Sequence, residues 1–275
     1  MASIRGSIAL SIAVLTLGAA SAGAADLYGG SVKDGYVPME VHSSGPSWYV
    51  RVDGSYSHYD DPIMVEDHIY DLVDTSLSSA WGVGGGVGVY LSHGFRADLT
   101  YEHRFESDAT GTLLNHAADL NGVREFGLKS RLLLANVYYD FNQGGRFSPY
   151  IGVGLGYVRH ETTAGTVTGL CGCDGTIDGE KAGSVAGAVM AGVTVNLTGD
   201  RGREVHGGST KDGVVFAASN RALLLDVGYR YLYLGEATTG PVRANLPGGP
   251  VVSDDPTVEN IHAHELRVGL RYNLN

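Results

Sequence analysis

Two runs of about ten residues, parted by Asn142-Gln143-Gly144-Gly145, constrain this chain more than any other feature. In the first, Leu133, Ala135, Val137, Tyr139 and Phe141 alternate with Asn136, Tyr138 and Asp140. In the second, Ile151, Val153, Leu155 and Tyr157 alternate with Gly152, Gly154 and Gly156. Period-two alternation puts one set on each face of a strand. The paired glycines between the runs supply the positive φ that a tight reversal demands. Soluble sandwich strands average about five or six residues, whereas a strand crossing a bilayer needs about nine to eleven. The length therefore points to a transmembrane β-hairpin.

The N-terminus is read as a secretory signal over residues 1–24. Arg5 is followed by the apolar run Ile8 to Leu17, too short to span a bilayer as a helix, and by Ala22-Gly23-Ala24, a small-residue cleavage site. Cleavage there moves the net charge from −11 to −12, and an acidic chain is a poor partner for nucleic acid. Residues 25–46 carry Gly, Pro and Ser with little periodicity and are expected to form a flexible periplasmic lead-in. Beyond the signal no apolar run is long enough for a membrane helix, so membrane residence requires a closed barrel, which satisfies every backbone hydrogen bond internally.

Residues 47–275 carry the barrel pattern. Further alternating runs are Trp48 to Tyr56, Ala80 to Leu91, Phe95 to Phe105, Val185 to Leu197, Leu223 to Tyr233 and His264 to Leu274. With the hairpin they make eight strands, an even number as a bacterial outer-membrane barrel requires. Ser92-His93 and Asn142 to Arg146 read as short turns; 59–79, 106–126, 160–181 and 235–262 read as long polar loops on the opposite side. The 198–220 connection is long where a short turn belongs. The fold class is all-β: an eight-stranded antiparallel up-and-down transmembrane barrel.

Strand direction places Trp48, Phe95, Phe141 and Tyr272 at one membrane interface and Tyr56, Trp81, Phe105, Tyr157 and Tyr233 at the other. Amphipathic rings prefer those two levels. The run NVYYDFNQGGRFSPYIGVGLGY and the closing ELRVGLRYNLN then resemble the small surface-antigen and opacity-type barrels of Gram-negative bacteria, with OmpA/OmpX-like architecture. That resemblance implies residence in the outer membrane, contact with its lipid and lipopolysaccharide, and insertion by the outer-membrane assembly machinery. It also implies envelope integrity and surface interaction as the work. Asn275 stands where such chains usually end on an aromatic residue.

The inward faces hold Asp53, Asp98, Glu102, Asp140, Asp226 and Glu265 against Arg51, Arg96, Arg104, Arg230, Arg267 and Arg271. Equal numbers of opposite charges in a narrow lumen are expected to pair, since an unpaired buried charge is costly. An eight-stranded barrel is just wide enough for side chains to fill it, so the expectation is a plugged lumen, with a narrow porin-like channel as the alternative. A lipid-modifying enzyme is the weaker rival. No Ser/His/acid set gathers at one rim in sequence, and His262-Ala263-His264-Glu265 is read as one loop histidine and one outward histidine rather than a metal site. The chain is expected to be no enzyme and to hold no cofactor or metal.

Three outer features complete the sequence reading. Cys171 and Cys173 lie in the third long loop, and an exported pair is expected to close a disulfide. The acidic first loop contains a small apolar group, Ile63, Met64, Ile69, Leu72 and Val73, which is the candidate patch for a host or surface ligand. Lys129, Arg131 and His103 point outward near the rim, where lipopolysaccharide phosphates lie.

Overall fold

The computed structural model describes residues 47–65, 71–115, 120–142, 146–169, 174–198, 222–246, 249–253 and 257–274. The signal and lead-in, Cys171 and Cys173, Ile69 and most of the 198–220 connection lie outside them. In chain order the strands are β1 (Trp48–Tyr59), β2 (Ile63–Val65), β3 (Asp71–Leu77), β4 (Ala80–Tyr90), β5 (Phe95–Asn115) and β6 (Leu120–Asp140). There follow β7 (Phe147–Thr162), β8 (Gly165–Gly169), β9 (Gly175–Ile177), β10 (Lys181–Asn196) and β11 (Leu223–Tyr233). The last five are β12 (Ala237–Thr238), β13 (Val242–Leu246), β14 (Gly249–Ser253), β15 (Thr257–Glu259) and β16 (His262–Asn273).

Eight of these close on themselves. The antiparallel pairings run β1–β4–β5–β6–β7–β10–β11–β16 and back to β1, where Val50 meets Tyr272 and Tyr56 meets Leu266. Each strand neighbours the next in sequence, which is the up-and-down barrel expected, and closure leaves no exposed edge in the membrane. Alternation gives each face its content. Val52, Trp81, Val83, Leu155, Tyr157, Val185 and Leu266 are exposed on the outside, while Tyr49, Arg51, Arg96, Arg104 and Glu265 are buried inside. In water so continuous an apolar exterior would be an aggregation surface; in a bilayer it is the solvated face.

Glycine makes the interior fit. A Cβ on Gly152 would stand 2.5 Å from Tyr138 Cδ1 and 3.1 Å from the Val137 carbonyl oxygen, so only glycine leaves the Tyr138 ring its place. At the short β4–β5 reversal His93 and Gly94 take φ of 60° and 89°.

The long segments outside the membrane depart from the expectation of polar loops. β5 and β6 continue as a hairpin to Asn115 and Leu120, 21 residues each. β3 pairs with the upper part of β5, β8 with the upper part of β6, and β9, β13 and β14 follow, forming a sheet above the barrel. β12, β15 and β2 form a second, three-stranded sheet. The two carry an apolar interior: Met64, Leu113, Phe126, Val167, Ile177, Val242, Val258 and Ile261 are buried and join one hydrophobic cluster with Leu132, Val158 and Leu232 of the barrel. The segments 59–79, 106–126, 160–181 and 235–262 thus make a folded cap. They hold far more apolar anchors than the five the sequence singled out.

Candidate functional site: lumen, cap and rim

Inside the barrel, acidic and basic side chains fall within reach because alternation aims them at one axis. Arg51 grips Asp53 in a fork, Nε to Oδ2 at 2.9 Å and Nη2 to Oδ1 at 2.6 Å, and reaches Asp98 Oδ2 with Nη1 at 3.0 Å. Tyr49 donates to the same Asp98 oxygen at 3.0 Å, and Asn136 donates to its other oxygen at 2.7 Å. Arg96 lies 3.1 Å from Asp140 through Nε, with its guanidinium 3.8 Å over the Tyr138 ring. Arg267 binds Asp53 at 3.2 Å and lies 3.7 Å from Glu265, joining this group to a second one.

The second group crosses the lumen. Arg104 on β5 donates to Glu265 on β16 at 2.7 Å and to Glu102 at 3.0 Å. Arg230 on β11 lies 2.6 Å from Glu265 and in very short contact with Glu102. β5 and β11 stand four strands apart in an eight-strand ring, so Arg230–Glu102 spans the barrel. Arg271 pairs with Asp226 at 3.2 Å beside Thr194, with its guanidinium 5.2 Å over the Tyr49 ring of the first group. All twelve charged residues named from the sequence are buried. The sequence reading did not name Tyr49, Ser57, Tyr59, Asn136 or Thr194 as members of these networks; their inward alternation was the available signal.

Above the belt the wall holds a buried Ser130–His160 pair. His160 Nε2 lies 2.9 Å from the Leu234 carbonyl oxygen and Nδ1 lies 2.8 Å from Ser130 Oγ. A carbonyl only accepts, so Nε2 carries the proton and Nδ1 accepts from the serine hydroxyl. Burial drives the imidazole pKa down to about 4, with the Leu234 carbonyl opposing and Arg104 adding to the fall. Ser130 and His160 are both buried in the wall.

The aromatic residues assigned to two girdles all stand exposed on the outer wall, from Tyr56 and Tyr233 at 40% to Trp81 at 66%. Phe95 and Phe141 each pack on Tyr139, and Tyr56 packs on Trp81. His262 belongs to β16 rather than to a loop; its ring stacks on Tyr231 at 5.6 Å, and His264 lies 3.2 Å from Asp60.

The candidate loop patch does not hold together. Ile63 is 57% exposed, but Met64 is 8% exposed because β2 pairs Met64 with Val258 and turns it into the cap interior. Val73 is half-buried, and the Leu72 side chain and Ile69 lie outside the described residues. Two adjacent residues of a strand face opposite ways, so an apolar cluster in sequence need not be one in space.

The model of the outer membrane protein beta-barrel domain family matches residues 11–273. An uncharacterized protein of Brucella abortus (strain 2308) is 26% identical over 301 residues, covering 96% of this chain and 97% of its own length. A Brucella suis biovar 1 (strain 1330) protein has the same identity and coverage. Among solved structures, Neisserial surface protein A aligns over 83% of this chain and 99% of its own, at 19% identity and a TM-score of 0.43. The outer membrane protein OprG from Pseudomonas aeruginosa aligns over 84% and 96%, at 12% identity and a TM-score of 0.44.

Proposed function

This chain belongs to the outer membrane protein β-barrel domain family and resides in the Gram-negative outer membrane, and from that premise we propose that it is a sealed, non-catalytic wall protein. Its work is envelope integrity, with surface contact made by the folded cap. The observation that supports sealing is the pair of contacts thrown across the lumen, Arg230 to Glu102 and Arg104 to Glu265. Balanced charges, six acids against six arginines, leave no excess of one sign to draw ions. Above them, Leu132, Val158 and Leu232 continue the filling into the cap interior. Variable recognition belongs on segments held by a rigid scaffold, and here the outward faces of β2, β8 and β9 are such segments, with Ile63 an exposed apolar residue on β2.

The Ser130–His160 pair gives the enzymatic alternative no support, since both side chains are buried in the wall. Membrane lipid, the assembly machinery and a surface ligand are the partners of this function. The test is steady conductance of the refolded protein in planar bilayers, run beside detergent sensitivity and cell adhesion of a gene deletion. We expect negligible conductance and loss of at least one envelope phenotype. Large ion-selective wild-type currents would refute sealing in favour of the porin-like channel.

A further inference from the structure

The outer wall carries a like-charge contact that the sealed barrel does not use. Arg131 on β6 and Arg159 on β7 are direct cross-strand partners. Both are exposed on the outer face, Arg131 with 54% of its side chain open. Like charges directly opposite on neighbouring strands destabilise a sheet, so the position calls for an anion between them. Arg131 has only a long contact, 3.9 Å, to Glu161, and Arg159 enters no ion pair among the described residues.

The height of this pair matters. The next outward partners toward the membrane are Leu133 and Tyr157, both part of the exposed apolar belt. Two residues of strand rise is about 6–7 Å, which sets the arginines at the level of the outer-leaflet headgroups. The flanks favour a headgroup as well. His103 is the partner of Arg131 on β5, and Gly183 is the partner of Arg159 on β10. The absence of a side chain at Gly183 lets the Tyr157 ring lie over it, bringing the tyrosine hydroxyl to the arginine row.

Neighbouring cations are already neutralised. A bulge after Arg104 sets Phe105 and Glu106 opposite Lys129 alone, and Glu106 holds that lysine at 2.8 Å. Lys181 is held by Glu161 at 3.2 Å. The surplus charge is therefore the arginine pair. On β1, β4 and β16 the segments beyond the belt carry His58, Ser79 and His262 and, among the described residues, no outward Lys or Arg. The cationic face is one-sided.

We propose that Arg131 and Arg159, with the Tyr157 hydroxyl, clamp a phosphate of an outer-leaflet glycolipid. Guanidinium forks match phosphate oxygens in pairs, and the lipid's acyl chains would continue down the belt past Leu133, Leu155 and Val185. A phosphate bound there turns the repulsive cross-strand pair into a bridged one.

The test is native mass spectrometry of the refolded full chain in detergent micelles, titrated with diphosphorylated lipid A and, separately, with the same lipid stripped of phosphate. Wild type should retain the phosphorylated lipid at least about tenfold more strongly, the loss expected for one or two charge-assisted hydrogen bonds. R159Q, which breaks no ion pair, and R131Q/R159Q should lose that preference stepwise. R146Q, at the opposite rim, should keep it. Equal retention of both lipids by wild type would overturn the proposal without any variant being needed. Undiminished preference in R159Q and the double variant, with the heat-shifted gel mobility of a folded barrel, would overturn it as well. Inorganic phosphate at matched concentration should not displace the lipid; if it does, the site takes free anions and the lipid assignment fails.

Discussion

Glu265 is the residue on which the lumen network turns, and replacing it with glutamine tests whether that network is dry. Its side chain is fully buried, accepts hydrogen bonds from Arg104 at 2.7 Å and Ser57 at 3.1 Å, and lies at ion-pair distances of 2.6 Å from Arg230 and 3.7 Å from Arg267. Glutamine keeps the volume and one acceptor but removes the negative charge, leaving three guanidiniums to share Glu102 and Asp53. Breaking a buried ion pair from one side costs about 3–5 kcal/mol, and the retained acceptor places E265Q near the lower end, about 3 kcal/mol. Reversible urea unfolding in detergent or thin bilayers, followed by tryptophan fluorescence, measures it. The exposed Arg243–Asp178 pair, at 3.0 Å with both side chains about half open, is the control, and R243Q should lose less than about 1 kcal/mol. Removing Arg230 as well restores the charge balance, so E265Q/R230Q should be less destabilised than the two singles added together. A loss below about 1 kcal/mol in a correctly folded E265Q barrel would mean that water screens these charges, and the sealed lumen would fall with it.

Two further outcomes follow from local geometry. G152V sets a branched side chain into the Tyr138 ring and the Val137 carbonyl; we expect overpacking to cost about 1–3 kcal/mol, visible in the same urea assay. His160 is held neutral, its pKa depressed from 6.5 to about 4 by burial. A depressed value means that the stability is fully present above about pH 6.5 and is lost progressively as pH falls toward 4. Unfolding midpoints scanned over that window should drop for wild type and flatten in H160Q. An unchanged slope in H160Q would assign the pH dependence to other groups.

The membrane-spanning part of this fold was legible in the sequence because a single rule governs both faces. Lipid demands apolar side chains outside, a narrow lumen demands paired or small ones inside, and period-two alternation writes both demands into adjacent letters. That is why Arg51, Arg96 and Glu265 were named as inward residues, and Trp81, Tyr157 and Tyr272 as outward ones, from spacing alone. Partner choice was not legible. That Arg230 reaches Glu102 across the ring, while Arg271 keeps to its neighbour Asp226, depends on closure and on side-chain lengths.

The cap was hidden for two physical reasons. At the bulge after Arg104 the parity of β5 reverses, so that Ser107, Ala109 and Leu113 face inward where unbroken alternation would send odd-numbered residues out. The cap's strands are two to seven residues long apart from the hairpin, and they pair with segments far away in the chain, as Met64 does with Val258. Local alternation fixed the barrel wall because each barrel strand pairs with its sequence neighbour. The cap, and with it the burial of Met64, was decided by contacts between distant segments that no short window of sequence contains.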